Sequence, residues 1–367
     1  MCVNIGGHSK TYAKVTLMNG RLTTAMREAL RLIRTGDLAA ATAAIRDKLS
    51  QAADSEAYAP AHRTVRTSLQ DEAAGKFIKA SFTNSAGTRR YKLFIPSAYG
   101  TSPLPLVVML HGCTQMPDDF ALGTRMNEFA ADRQCLVAYP EQSLSANGSR
   151  CWNWFKSADQ QRDNGEPAII AGLTRELIKT YGVDAKRVYV AGLSAGGAMA
   201  VVMGRTHPDL YAAVGVHSGL PYAAAHNAPS AFAAMKGIAP QQGDKTSPTA
   251  QIIPTIVLHG DRDELVHPSN GQLITDHLTS SDATAGKDAF ARRSQTLSDH
   301  GRVPGDHPYT RTLFRNERGK VIVEHWLVHG AGHAWFGGDP RGSHTDPAGP
   351  DASREMLRFF FEHELPS

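Results

Sequence analysis

A serine lies between two glycines, directly after a run of apolar and β-branched residues. The run covers Val188–Val190, and the serine is the centre of the pentapeptide Gly192–Gly196, of the form Gly-x-Ser-x-Gly. Small helix-forming residues follow, so the order predicts a strand, a sharp turn at Ser194 and a helix that begins at Ala195. The hydroxyl would stand above the sheet, where the N–H groups of the helix stabilise developing negative charge. This pattern is typical of a nucleophile, although a strand-to-helix turn with an incidental serine has the same short motif.

A serine hydroxyl is a weak nucleophile at neutral pH, so it needs a histidine to accept its proton and an acid to orient that histidine. Both follow downstream in loops that come directly after predicted strands. Because ligands bind beyond the carboxyl ends of strands in open α/β sheets, we expect Asp263 to be the acid and His333 the base. Asp261 is the alternative acid. We expect His325 and His329, in or next to a strand, to be packed or capping residues.

The attack on an acyl carbon also creates an oxyanion, which needs hydrogen-bond donors from two segments of backbone. The N–H of Ala195, just after the serine, offers one donor. The N–H of Cys113 offers the other, because this residue follows His111-Gly112 at the end of a predicted central strand, Leu104–Leu110. These residues together predict a serine hydrolase.

The four cysteines are too few for a disulfide scaffold and lack the spacing of a zinc site. Cys113 and Cys151 fall on neighbouring loops and could form a disulfide that braces the oxyanion loop, with two buried thiols as the alternative expected in a reducing cytosol. Trp152 and Trp154 follow Cys151, and Trp335 follows the candidate base. We interpret these tryptophans as a flat apolar rim for an acyl chain, although tryptophans are more often part of a core.

Strands alternate with helices through most of the chain, which predicts an α/β fold with a mostly parallel central sheet and helices on both faces. The predicted strands are Lys76–Phe82, Arg90–Ile95, Leu104–Leu110, Leu136–Tyr139, Val188–Val190, Ala212–His217, Ile252–Leu258, Tyr309–Arg315 and Val321–Val328. The predicted helices are Asp118–Gln134, Pro167–Tyr181, Ala195–Thr206, Pro268–Leu278 and Asp351–Glu364.

Shifts in composition divide the chain into segments. We expect a polar N-terminal extension over residues 1–20, a helical hairpin over 21–50, a linker over 51–75 and a catalytic domain over 76–367. A Pro/Ala/Gln-rich insertion at 221–250 could cover the site as a cap. The hairpin is interpreted as a packing appendage or the contact of a homo-oligomer, with docking onto a hydrophobic surface as the alternative.

Composition excludes several classes of protein. The chain has 367 residues, of which 41% are hydrophobic and 20% charged, so it is an ordinary globular chain. Its net charge of +4 comes from scattered residues, which argues against a nucleic-acid partner. No apolar run is long enough for a membrane span, and the first twenty residues lack the apolar core of a secretory signal. We expect a cytoplasmic protein, with secretion left open if the N terminus is incomplete.

Taken jointly, the motifs resemble those of the polyhydroxybutyrate (PHB) depolymerase family of esterases, a branch of the α/β-hydrolases that includes feruloyl and acetylxylan esterases. The resemblance covers roughly Lys76 to Glu364. The matching motifs are Leu110–Gln115, Cys151–Trp154, Gly192–Gly197, His259-Gly260 with Asp263, Gly332–Trp335, Thr345–Pro347 and Gly349–Asp351.

The resemblance implies an α/β-hydrolase fold and an ester substrate, cleaved through an acyl-enzyme without a metal or a cofactor. The ester would be one of a hydroxyalkanoate, or of a hydroxycinnamic or acetic acid. Acyl transfer or peptide hydrolysis by the same triad is an alternative, as is a non-catalytic binding protein of this fold. The implied site residues are the triad Ser194, Asp263 and His333, the oxyanion donors Cys113 and Ala195, and the substrate contacts Gln115, Trp152, Trp154 and Trp335.

Overall fold

A mostly parallel sheet with helices on both faces makes up the described part of the molecule. The computed structural model describes residues 75–100, 102–238, 253–279, 296–301 and 306–366, and all of them belong to one compact unit. The predicted N-terminal extension, the helical hairpin, most of the linker and the C-terminal part of the proposed cap insertion lie outside these residues.

Ten of the described strands form one sheet. They are β1 Gly75–Asn84, β2 Gly87–Pro96, β3 Leu106–Leu110, β4 Leu136–Pro140, β5 Val188–Leu193, β6 Ala213–His217, β7 Thr255–Gly260, β8 Thr296–Gly301, β9 Tyr309–Arg315 and β10 Val321–Val328. The order across the sheet is β1-β2-β4-β3-β5-β6-β7-β10-β9-β8. Six neighbouring strands at the centre of the sheet are parallel, in the order β4-β3-β5-β6-β7-β10. Antiparallel strands flank them on both sides, β1 and β2 on one side and β9 and β8 on the other. The predicted fold class is therefore confirmed.

The helices lie on the two faces of the sheet. They are α1 Pro117–Thr124, α2 Met126–Arg133, α3 Gly165–Tyr181, α4 Ala195–Thr206, α5 Ala228–Met235, α6 Ser269–Thr279 and α7 Ala352–Phe361. Helices α3 to α6 contribute to one hydrophobic core, and α1, α2 and α7 contribute to the other. Since both faces are covered, all residues of β3 to β7 are buried, and these strands are correspondingly rich in apolar residues.

Three elements differ from the sequence expectation. The single helix predicted over Asp118–Gln134 is broken at Arg125, which has a left-handed φ of 56° and separates α1 from α2. Helix α5 lies in the segment interpreted as a cap, and its N-terminal Asn227 side chain accepts a hydrogen bond from the backbone N–H of Ser230. Strand β8 extends the antiparallel edge of the sheet. It was not predicted, because its sequence has no alternating apolar pattern.

Candidate active site

The carboxyl ends of the central strands meet at one edge of the sheet. Leu193 of β5 lies opposite His217 of β6, and Gly260 of β7 lies opposite Val328 of β10. Neighbouring strands are about 4.8 Å apart, so the loops after them are close in space. Only β6 separates β5, which precedes Ser194, from β7. The loops that carry the predicted nucleophile, acid and base therefore leave the sheet side by side.

Ser194 lies on a strained turn between β5 and α4. Its φ of 58° and ψ of −119° are costly for a residue with a side chain. The flanking glycines make this turn possible, because a Cβ on Gly192 would overlap the backbone of Gly196, and a Cβ on Gly196 would overlap the carbonyl oxygen of Leu110. The N–H of Ser194 donates to the carbonyl oxygen of His217 at 2.9 Å. The strain is thus held by close contacts on both sides.

His333 and Asp263 form a hydrogen-bonded pair. The Nδ1 of His333 is 2.7 Å from Oδ2 of Asp263, and the other carboxylate oxygen accepts from the N–H groups of Leu265 and Val266 at 3.0 and 2.8 Å. Burial alone would raise the pKa of Asp263, but the hydrogen bonds from His259 and His333 outweigh it and hold the pKa well below its usual value. An ionised Asp263 accepts the Nδ1–H of His333, which leaves Nε2 of His333 able to accept a proton.

Asp261, the alternative acid, binds a different histidine. Its Oδ2 is 2.9 Å from Nδ1 of His329, and its Oδ1 accepts the N–H of Gly330 at 2.7 Å. The other ring nitrogen of His329 is 2.8 Å from Oγ1 of Thr310. The side chains of Asp261 and His329 are each about a third exposed. The structure therefore brings Asp263, and not Asp261, to His333.

The two expected oxyanion donors have no competing acceptor within the described part of the chain. Among the described residues, neither the N–H of Cys113 nor that of Ala195 donates to a protein group. Burial lowers the pKa of His111 to about 4, so its ring is neutral. Since Nε2 of His111 accepts the N–H of Gln142 at 3.1 Å, its Nδ1–H donates to the carbonyl oxygen of Gly112 at 2.7 Å. This hydrogen bond fixes the peptide plane that carries the N–H of Cys113.

A disulfide joins Cys113 to Cys151, as the sequence interpretation allowed. The loop of Cys151 is anchored in turn, because Gln142 donates to the Cys151 carbonyl oxygen at 3.0 Å and to the carboxylate of Glu166. Glu166 also accepts the N–H of Asn153 at 2.7 Å, and burial raises its pKa. Nothing in the sequence singles out Glu166, since a lone glutamate at the start of a helix is usually solvated.

Gln115 holds the oxyanion loop and is not free to bind substrate. It is buried, and its Oε1 accepts the N–H of Gly112 at 2.9 Å. Its Nε2 donates to Oδ2 of Asp119 at 3.2 Å and to the carbonyl oxygen of Ser343 at 3.1 Å. The predicted substrate-contact role of Gln115 is therefore wrong, because its amide is already used by protein groups.

The predicted aromatic rim is also wrong. Trp152 and Trp335 are 0% and 1% exposed and lie in the hydrophobic cores. Their indole N–H groups donate to the carbonyl oxygen of His111 and to Oγ of Ser353, each at 3.1 Å. Trp154 is buried in the same core as Trp152. Tryptophans with satisfied N–H groups in packed cores support the loops of the site and offer no exposed face to a substrate.

His217 connects the nucleophile to the loop of the base. Its carbonyl oxygen accepts the N–H of Ser194, and its Nε2 accepts the N–H of Phe336 at 3.3 Å. The ring stacks on Trp335 with centroids 5.0 Å apart. Burial holds the pKa of His217 well below its usual value, so the ring stays neutral. Sequence reasoning missed this residue because a histidine at the end of a buried strand carries no catalytic motif.

Within the described ranges, no group of three or more His, Cys, Asp or Glu residues could hold a metal ion. None of the helices described is long and apolar enough to cross a membrane.

Comparison with known proteins gives the family. Residues 89–296 match the family model described as Esterase PHB depolymerase. A poly(3-hydroxyalkanoate) depolymerase C from Paucimonas lemoignei is 30% identical over 268 residues, which cover 68% of this chain and 59% of the relative. Feruloyl esterase B from Neurospora crassa is 32% identical over 150 residues, or 41% of this chain and 50% of the relative. The chain spans about half the length of the curated relatives that it matches.

A solved structure supports the fold. The acetyl xylan esterase from Aspergillus awamori superposes with a TM-score of 0.59 at 18% identity, covering 78% of this chain and 100% of that chain. At this identity the similarity concerns the fold alone, which is the α/β-hydrolase fold. The family match, the sheet order and the strained serine turn agree, and the chain belongs to the PHB depolymerase family of esterases.

Proposed function

We propose that this protein is a serine carboxylic ester hydrolase with Ser194 as nucleophile, His333 as base and Asp263 as the acid that orients the base. The observation that carries the proposal is the 2.7 Å hydrogen bond between Asp263 and His333, at the same sheet edge as the strained turn of Ser194. An ionised, buried carboxylate bound to Nδ1 of a histidine selects the tautomer that can accept a serine proton.

The first half of the reaction forms an acyl-enzyme. Oγ of Ser194 attacks the ester carbonyl carbon while Nε2 of His333 takes the hydroxyl proton. The oxyanion then accepts hydrogen bonds from the N–H groups of Cys113 and Ala195. As the carbonyl re-forms, the bond to the alcohol oxygen breaks, and His333 gives its proton to that oxygen. The products are the free alcohol and an acyl group on Ser194.

The second half regenerates the enzyme. Water attacks the acyl carbon and gives one proton to Nε2 of His333, and the same two N–H groups hold the new oxyanion. The bond to Oγ of Ser194 breaks, and the proton on His333 returns to that oxygen. One water is consumed, and one acid and one alcohol are formed.

The relatives suggest the substrate class. Their names specify depolymerases of poly(3-hydroxyalkanoate) and poly(3-hydroxybutyrate), acetylxylan esterases and feruloyl esterases. We propose esters or oligomers of hydroxyalkanoates as the first choice, with feruloyl and acetyl esters as the alternative. A hydrolysis panel of 3-hydroxybutyrate oligomers, methyl ferulate and acetylated xylan separates these classes.

Two pairs of variants test the proposed catalytic residues with p-nitrophenyl butyrate. Ser194→Ala should abolish turnover, whereas Ser81→Ala, at an exposed position of β1, should leave it unchanged. His333→Ala should reduce kcat by roughly 10³-fold or more, whereas His329→Ala, on the same loop, should reduce it less than tenfold. Turnover by Ser194→Ala at a rate close to that of the wild type would refute the proposal, and the unfolding temperature of each variant shows that a loss of turnover is not a loss of folding.

A further inference from the structure

One histidine at the catalytic edge has no role in the chemistry described above. His344 precedes β12 (Thr345–Asp346), which pairs in parallel with β11 (Trp335–Phe336), and Thr345 lies opposite Trp335. The carbonyl oxygen of His344 accepts the N–H of Trp335 at 2.8 Å. His344 is therefore fixed beside the segment that carries His333.

The residue before it is tied to the opposite side of the site. The N–H of Ser343 donates to Oδ1 of Asp119 at 2.8 Å, and its carbonyl oxygen accepts from Nε2 of Gln115 at 3.1 Å. Gln115 in turn accepts the N–H of Gly112, which precedes the candidate oxyanion donor Cys113. The segment of Ser343 and His344 thus spans the distance between the loop of the base and the oxyanion loop.

The backbone of His344 is held in a conformation that a side chain disfavours. Its φ is 54°, in the left-handed region. The next residue is fixed as well, since Oγ1 of Thr345 donates to the carbonyl oxygen of Asp339 at 2.9 Å. Strain of this kind persists only where the surrounding contacts impose it, and it is concentrated at functional sites.

The ring of His344 is available to a ligand. His344 is exposed, whereas Trp335, whose N–H it binds, is buried. None of the described residues hydrogen-bonds to the ring of His344. Partial desolvation and the nearby His333 lower the pKa of His344, so its ring is neutral at pH 7. A neutral imidazole offers one hydrogen-bond donor and one acceptor.

We propose that His344 contacts the alcohol portion of the substrate and hydrogen-bonds to a second oxygen function there, such as the neighbouring ester carbonyl of a hydroxyalkanoate oligomer. The inference rests on the proposed ester hydrolysis. His333 must reach the departing alcohol oxygen to protonate it, so the alcohol portion lies on the side of His333, where His344 is fixed. A simple monoester has a single carbonyl, which the N–H groups of Cys113 and Ala195 bind, and it leaves nothing for His344.

Two substrates that differ only in this second function test the proposal. Methyl 3-(butyryloxy)butyrate carries an ester on its alcohol portion, and 2-hexyl butyrate is an alkyl ester of the same chain length without it. Release of butyrate is followed for both. The variant His344→Gly removes the ring and fits a positive φ, and His344→Asn keeps a hydrogen-bonding side chain that tolerates this conformation.

His344→Gly should reduce kcat/KM for the diester about five- to tenfold, as expected for one lost hydrogen bond, and change that for the alkyl ester less than twofold. His344→Asn should recover part of the loss. An equal loss on both esters would mean that His344 only positions the loop of the base, and no loss on either ester would remove it from the site; both results overturn the proposal. Failure of the proposed function would look different, because the wild-type protein would then show no Ser194-dependent release of butyrate from either ester.

Discussion

Substitution by asparagine should distinguish the role of Asp263 from that of its neighbour Asp261. In Asp263→Asn, the amide oxygen can still accept the N–H groups of Leu265 and Val266, which lie 3.0 and 2.8 Å from Oδ1. The amide nitrogen then faces Nδ1 of His333, so two donors meet where the wild type has a 2.7 Å hydrogen bond. The imidazole relieves this conflict by keeping its hydrogen on Nε2, the atom that must accept the proton of the nucleophile.

This change of tautomer sets the size of the effect. Such a substitution in a serine-histidine-aspartate triad costs on the order of 10⁴ in kcat, which corresponds to about 5.4 kcal/mol of transition-state stabilisation. The matched variant is Asp261→Asn. Because Asp261 and His329 are each about a third exposed, their pair contributes at most about 1 kcal/mol, or roughly a fivefold change in rate.

The assay is the pre-steady-state and steady-state hydrolysis of p-nitrophenyl butyrate at pH 7.5, with the unfolding temperature of each variant as the control for folding. We expect kcat to fall about 10⁴-fold in Asp263→Asn and at most fivefold in Asp261→Asn, with little change in KM for either. A larger loss in Asp261→Asn than in Asp263→Asn, or a loss below tenfold in Asp263→Asn, would refute the assignment of the acid.

Three other predictions follow from the same contacts. Gly196→Ala should lower the free energy of unfolding in urea by at least about 3 kcal/mol, since its Cβ would overlap the carbonyl oxygen of Leu110; an unchanged unfolding midpoint would contradict the close approach. Cys151→Ala should lower the free energy of unfolding by up to about 4 kcal/mol, given the 38-residue separation from Cys113. It should also reduce kcat roughly 10- to 100-fold, because the oxyanion donor of Cys113 is held less firmly. Treatment of the wild type with a reductant should reproduce both effects. Burial lowers the pKa of His111 to about 4 in the folded protein, so between pH 6.5 and pH 4 this proton binds to the unfolded chain only. His111 should therefore contribute a fall in stability of up to about 1.4 kcal/mol per pH unit as the pH is lowered, in addition to the falls from other buried histidines such as His217. Urea unfolding at pH 7 and pH 5 measures the total slope, and His111→Gln should make that slope shallower; an unchanged slope would contradict the prediction.

The parts of the fold that local sequence governs were predictable. The predicted helix over Ala195–Thr206 has the observed bounds, because the glycines around Ser194 leave a single place for the helix to begin. The break at Arg125 was not predicted, and it lies next to a close approach between segments that are far apart in the sequence. Gly123, two residues earlier, lies so close to Gly342 that a Cβ on either glycine would overlap or press against the other segment. Neither a proline nor a local turn motif marks this break.

The candidate site also has features that the sequence predicts and features that depend on the folded structure. The order of serine, acid and base along the chain follows from the family pattern and from the strand ends, but which acid meets which histidine depends on the loop geometry after β7 and β10. The tryptophans show why composition does not predict a substrate contact. A loop tryptophan has the same sequence signal whether it faces a substrate or, like Trp152, is buried and donates its indole N–H to a backbone carbonyl. Glu166 and His217 act through buried hydrogen bonds to loops that are 13 and 119 residues away in the sequence, and no spacing reveals such contacts.

The central claim is that the hydroxyl of Ser194 is the nucleophile and that His333 activates it. The most direct measurement is covalent trapping with diethyl p-nitrophenyl phosphate, followed by mass spectrometry of the proteolysed wild-type, Ser194→Ala and His333→Ala proteins. We expect one diethylphosphoryl group on the peptide of Ser194, formed in parallel with the loss of activity, much slower labelling in His333→Ala and none in Ser194→Ala. Complete inactivation of the wild type with Ser194 unmodified, or labelling of another residue at the same rate, would contradict the account.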